Sequence, residues 1–398
     1  MTKRLFRIHG FALVLVCMVA GRAAAADVEV GKIPVTFSLE LRVRSEFLEN
    51  NGFNDADDRW RQRYRLRFGA TAAVTERLTA GFRLSSGDKT YQTTAYQSLD
   101  TANFSKADFT VDRAYLSYKR QGGALPTTLY AGKFAHPFYT PSEIVWDVDL
   151  QPAGAAEMFT LGQSGVTIAL AQYVIRERDK VKDTGSNLFA EQIFWKKDFA
   201  PVAVGLGVAY YHVDDPEQVA NDALASNKDF LTNKNFASCT GTNPGTCTGT
   251  ISDFDILEVG TDETFKKVPI RLVGEYVVNL GAKDGLVGGI PFGKENKAWL
   301  AGVYYGRTKE KGDWRIGGGY TEIQADAVVA NFNSDDFQQT NVNTIFTEAR
   351  YQFHPKSYIY YDGYYQKKNN FDLFQANGNP VPDDTRMYRH RVTLVVEF

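Results

Sequence analysis

The chain has 398 residues, with 45 Lys and Arg against 47 Asp and Glu, 13% aromatic residues and three cysteines. That faint acidity gives no support to nucleic-acid binding, which a basic excess would serve. After residue 26 nothing is apolar for the roughly 20 residues that a membrane-crossing helix needs, so a helical membrane protein is excluded as well.

The chain opens with Lys3, Arg4 and Arg7, continues with an uncharged apolar run over 10–21 and ends this prelude on four alanines at 23–26. A positive start, a short apolar stretch and small residues before a cleavage point read as a secretory signal peptide over 1–26, with the mature chain starting at Asp27. Cys17 would suit a lipoprotein, but Val16 before it is not the small residue that such processing requires. Removing Lys3, Arg4, Arg7 and Arg22 leaves 41 basic against 47 acidic residues, a net charge of −6.

The first mature segment, 34–44, alternates apolar and polar residues without a break: Val35, Phe37, Leu39, Leu41 and Val43 on one side, Glu40, Arg42 and Arg44 on the other. The next, 60–73, sets Tyr64, Leu66, Phe68, Ala70 and Ala72 against Arg61, Arg63, Arg65 and Arg67. A helix would scatter both classes around its circumference, whereas a strand separates them onto two faces. Strands are therefore expected. The same reading continues at 77–85, 110–119, 127–134, 156–161, 165–175, 187–197, 202–213, 253–261, 267–280, 297–309, 313–325, 340–353, 357–368 and 384–398. A sheet can cross lipid only when closed, because every backbone N–H and C=O must be paired inside the bilayer. Sixteen alternating segments with Tyr and Phe in excess (21 and 27) predict an all-β fold: a transmembrane antiparallel barrel over 27–398.

The connections support this. Short turns follow the even segments, at 74–76, 121–125, 162–164, 197–201, 310–312 and 354–356. Long links follow the odd ones, at 45–59, 86–109, 135–155, 214–252, 281–296, 326–339 and 369–383. Short periplasmic turns and long extracellular loops alternate in this way in outer-membrane barrels. Cys239 and Cys247 stand close together in the 214–252 link, and in an exported chain they read as a disulfide clipping that loop. In the first link Asn54, Asp55, Asp57 and Asp58 offer oxygen ligands, but without the glycine and glutamate of a calcium loop they read as a solvated turn. No metal or cofactor motif emerges. Outward Trp60, Tyr118, Trp299 and Tyr358 suit interface girdles, where amphipathic rings settle. The last segment brings Val392, Leu394, Val396 and the terminal Phe398 to one face, and an outward aromatic at the end suits recognition by outer-membrane assembly machinery.

The order of short motifs resembles the putative porin family of Gram-negative outer-membrane proteins. They run Asp112-Arg113-Ala114-Tyr115-Leu116-Ser117-Tyr118, then Tyr130-Ala131-Gly132-Lys133-Phe134, Trp146-Asp147-Val148-Asp149-Leu150 and Pro152-Ala153-Gly154-Ala155-Ala156. Asp313-Trp314-Arg315, Gly319-Tyr320 and Asn333-Ser334-Asp335-Asp336-Phe337 follow. The resemblance covers nearly the whole mature chain and implies a passive diffusion channel, a homotrimer embedded among outer-membrane lipid and lipopolysaccharide.

Selectivity in such a lumen comes from wall charges and from any inward loop. Arg42, Arg44, Arg61, Arg63, Arg65, Arg67, Arg83 and Arg113 fall on the first four segments and Arg389 and Arg391 on the last, which pairs with the first when the barrel closes. They make one basic wall. Either it tilts the pore toward anions, or carboxylates such as Glu40 and Glu397 neutralise it. The 135–155 link, with the start of the next strand, brings Glu143, Asp147, Asp149 and Glu157. Folded inward, it would set an acidic face against the arginines; otherwise it is a rim loop held by Phe138, Tyr139 and Trp146. The reading is a water-filled pore for small hydrophilic solutes with a mild anion preference. The alternative is a channel specific for phosphate, a sugar acid or an exported polysaccharide. An enzyme is not expected, since none of His136, His212, His354 and His390 stands beside a serine in a nucleophile–base arrangement.

Overall fold

A computed structural model describes residues 27–50, 58–87, 93–99, 108–123, 125–179, 184–217, 219, 233, 250–376 and 386–398. The signal segment, Cys239 and Cys247, and Asn54, Asp55 and Asp57 lie outside the described residues.

Sixteen strands form the wall. They are β1 (Ile33–Glu49), β2 (Arg59–Ala73), β3 (Leu78–Ser86), β4 (Phe109–Arg120), β5 (Thr127–Lys133), β6 (Ala153–Thr160), β7 (Val166–Asp179) and β8 (Thr184–Asp198). Then come β9 (Val202–Val213), β10 (Asp255–Phe265), β11 (Ile270–Asn279), β12 (Lys297–Gly306), β13 (Trp314–Ile323), β14 (Val342–His354), β15 (Ser357–Lys368) and β16 (Arg386–Glu397). Each pairs antiparallel with the next, and β16 returns to β1 with Leu41 opposite Val396 and Glu46 opposite Arg391. Among the described residues the sixteen-strand wall has no free edge. All sixteen expected segments are present, with ends displaced by up to four or five residues, and the strands run furthest past expectation on the long-loop side.

The outer surface carries the apolar phase of the alternation: Val43, Phe82, Leu116, Val208, Val303, Ile345 and Leu394 are all exposed. Trp60, Tyr118 and Trp299 are on this surface too. Tyr358 is not. It faces inward, 7% exposed, because it shares its strand phase with Tyr360, Asp362 and Tyr364. Tyr occupies both phases of that strand, so polarity alone could not orient it.

The interior departs from a uniformly wet lumen. The inward faces of β6 to β12 are largely apolar and small, with Ala156, Ala169, Ala171, Ala190, Ala209, Val273, Val277 and Ala298 buried, interrupted by buried Gln192, Glu258 and Glu275. On them packs the 134–152 connection, through Phe134, Phe138, Ile144, Val145, Trp146 and Leu150. One side of the barrel is thus a hydrophobic core, and such burial contributes roughly 1.5–3 kcal/mol per large side chain. Strands buried on both faces read as near-continuous apolar runs rather than alternations. Val202-Ala203-Val204-Gly205-Leu206-Gly207-Val208-Ala209 is one.

Candidate functional site

The other side of the interior is polar, and its floor is the arginine wall. Register places Arg42 opposite Arg65 and Arg44 opposite Arg63 across β1 and β2, and Arg391 beside Asp362 across β16 and β15. Like charges so close are tolerated because carboxylates are threaded between them. Glu40 accepts from both Arg42 and Arg65 at 2.7 Å. Glu46 takes Arg61 at 2.6 Å and lies 3.8 Å from Arg63. Asp112 pairs with Arg83 and approaches Arg67 at 3.8 Å.

Two loops add the remaining counter-charges. From the 134–152 connection, Asp149 accepts from Arg65 at 2.8 and 2.9 Å and from Arg67 at 2.8 Å. From the link after β13, the short 3-10 turn Asp335–Phe337 presents Asp336 to Arg391, at 2.7 Å for one nitrogen, and to Arg389 at 3.3 Å. The loops are tied together, since the Asp147 amide donates to the Phe332 carbonyl and the Ser334 amide to that of Glu143. Three polar tethers hold the first loop to the opposite wall: Tyr139 hydroxyl to Asp262 at 2.6 Å, the Gln192 amide to both backbone groups of Tyr139, and Ser142 to Glu275.

These carboxyls divide into two kinds. Burial works against the charge of Asp149, but Arg65 and Arg67 hold it well below the usual carboxylate range. Arg391 and Arg389 do the same for buried Asp336. Glu143 has no such arginine among the described residues: burial, with the charges of Asp336 and Asp149 added, pushes it up to about 8. Burial beside Glu143 raises Asp147 well above its ordinary value, and burial near Asp336 raises Asp335 to about 6. His136 stacks on Trp146 at 4.4 Å, and burial holds it neutral, at about 3.

All ten arginines singled out in the sequence stand on this wall; Arg113 donates to Gln151 at 2.7 Å. Glu143, Asp147 and Asp149 line the same cavity, of about 300 Å³. Glu157 does not join them. Its neighbour Ala156 points into the core, so Glu157 points outward, opposite Leu129 and exposed Leu170. The expectation failed because Glu157 lies inside the paired strand, in the outward phase, rather than at the end of the loop. Of the first-link oxygen cluster only Asp58 is described, and it accepts from the Asn50 amide. Sequence reasoning missed Tyr96, Asp335, Asp336, Glu348, Arg350, Tyr360, Asp362 and Tyr364, all on the cavity lining. The strand residues among them had a usable signal: Tyr360, Asp362 and Tyr364 share the phase of Arg389 and Arg391 across the β15–β16 register, and Glu348 and Arg350 lie opposite Asp362 and Tyr360 across β14–β15. Of those from loops, Asp335 and Asp336 stood in a motif of the resemblance without any sign that they face the arginines, and Tyr96 had no signal.

Residues 41–235 and 217–359 match the model of a family described as putative porin. The chain is similar in structure to OprB of Pseudomonas putida, at 12% identity over 92% of this chain and 94% of that one, with a TM-score of 0.58. It is also similar to OmpF of Salmonella typhi, solved in complex with daunomycin, at 10% identity over 94% and 100% of the two chains, with a TM-score of 0.52. At such identities the likeness is one of fold. No curated protein matches the chain.

Proposed function

The chain belongs to the putative porin family, an outer-membrane barrel, and on that premise we propose that it is a passive channel for small hydrophilic solutes with a mild preference for anions. The supporting observation is the split interior: an apolar half that narrows the bore and a charged half that a hydrated solute must follow. Opposed charges along such a path favour polar solutes, which recover there part of the energy of leaving bulk water. The anion preference rests on arginines that carry weak or no ion pairs among the described residues, namely Arg44, Arg63, Arg113 and Arg350. Arg65, Arg67, Arg389 and Arg391 are offset by Asp149 and Asp336.

Single-channel recordings in a salt gradient test this. An ohmic conductance whose reversal potential lies on the anion side is expected, moving toward zero in Arg63→Ala and less in Arg65→Ala. A cation-side potential, or no change in either variant, would refute the preference. The narrowed bore also favours a second reading, a solute-specific channel, for which a small conductance with saturable block by phosphate or a sugar acid is the mark. The reading further includes a homotrimer in lipid and lipopolysaccharide, a chain matured at Asp27, a Cys239–Cys247 disulfide, delivery through Phe398, and no catalytic step.

A further inference from the structure

The polar cavity contains donors that the protein leaves unused. Arg44 Nε donates to Thr393 Oγ1 at 3.0 Å and one of its terminal nitrogens to the Tyr360 hydroxyl at 2.9 Å, with no carboxylate in ion-pair range among the described residues. Its guanidinium carbon lies 3.7 Å over the Tyr96 ring. Arg350 is stacked 3.3 Å over the Tyr358 ring, donates to Gln352 at 3.2 Å and likewise has no ion pair among the described residues. Arg42 shares Glu40 with Arg65. Among the described residues on the cavity lining, the buried polar atoms without a hydrogen-bond partner are three donors, Arg42 Nε, Arg350 Nε and the hydroxyl of Tyr96 (a residue only 6% exposed), and one acceptor, Asp362 Oδ2. Arg42, Arg44, Arg350, Tyr96, Tyr358 and Tyr360 line one cavity.

Buried unpaired donors are costly, and a cluster of them calls for an acceptor that arrives from outside. We infer that the end of the cavity formed by Arg42, Arg44, Arg350, Tyr96 and Tyr360 is a binding subsite for the carboxylate of a small organic monoanion. Stacking on tyrosine rings fixes the guanidinium planes, and a fixed planar fork suits the planar carboxylate. The Tyr360 hydroxyl, which accepts from Arg44, keeps its own hydrogen for the guest. Elsewhere on the lining Asp149, Asp336 and Glu348, each carrying its charge in an ion pair with arginine, work against a second negative charge, so a phosphate dianion is disfavoured. The inference deepens the channel reading by naming a solute class.

Saturation-transfer NMR on the detergent-solubilised full chain tests it, with acetate as probe and inorganic phosphate as competitor. Transfer to acetate is expected, insensitive to equimolar phosphate, with an apparent Kd about tenfold weaker in Arg350→Gln, the size of effect that loss of a charge-assisted hydrogen bond brings. Should Arg350→Gln fail to give the compact, fast-migrating band of an unheated barrel, Arg42→Gln carries the same comparison. No transfer, an unchanged Kd in a folded variant, or displacement by phosphate would each overturn the inference. Bilayer conductance measured in parallel separates the two readings. A conducting protein that ignores acetate loses the subsite and keeps the channel; one that binds acetate without conducting keeps the subsite and loses the channel.

Discussion

Asp336 stands between Arg389 and Arg391 as their loop-borne counter-ion, so Asp336→Asn frees positive charge beside the path. One unit charge at about 4 Å in water-like surroundings is worth about 1 kcal/mol, or about fivefold in an anion-to-cation permeability ratio. Reversal potentials should move by that much to the anion side, and an unchanged potential would mean that ions pass elsewhere. Glu143 leads to a pH dependence. Its carboxyl is raised to about 8 by burial and by nearby Asp336 and Asp149, against 4.5 for the unfolded chain. The neutral form is thus favoured by folding, and its contribution is complete below pH 4.5 and lost as pH rises through about 8. Loop packing should loosen over that interval, seen as rising current noise, and Glu143→Gln should flatten the profile. Asp149 and Asp336, held low by arginines, act in the opposite sense at the acid end, where protonation removes their pairs.

At the scale of elements, the inward loop sits in a groove cut by glycines. A Cβ on Gly260 would lie 2.4 Å from Pro141 Cγ, and one on Gly207 would lie 2.7 Å from the Tyr139 ring. Overpacking of this kind costs about 1–3 kcal/mol, so Gly260→Ala should push the loop off that wall toward the polar side and lower single-channel conductance. A wild-type conductance would show that the loop does not set the bore. Trp146→Ala, which empties the centre of the loop's core, should cost about 3–5 kcal/mol and open the loop to added protease. The strands themselves were legible because a two-residue period is local: Arg61, Arg63, Arg65 and Arg67 declare their face without reference to anything distant. The apolar half was not, since Ala169 and Ala209 acquire their meaning only from Trp146 and Ile144 packed across the bore. Glu157 and Tyr358 were misplaced for a related reason. A shift of one residue in strand phase reverses every side chain, and neither segment had enough contrast between its faces to fix that phase.

For the whole molecule, closure of one sheet on itself predicts a β-type circular dichroism spectrum and an electrophoretic band that moves only when the sample is boiled. The final residue is part of the closure, since the Phe398 amide donates to the Leu39 carbonyl at 2.9 Å. Deleting Phe398 should lower the yield of heat-modifiable barrel, measured on isolated outer membranes; an unaltered yield would assign the signal to other residues. The seam between β1 and β16 has a consequence for traffic through the protein. On the proposed channel reading, with the 134–152 connection packed on the far half of the interior, solutes would pass off-axis and brush the junction where the first and last strands meet. A fault in that join would therefore damage the transport lane before it damaged the vessel, and leakage of dye should precede any loss of the folded band as heat is applied.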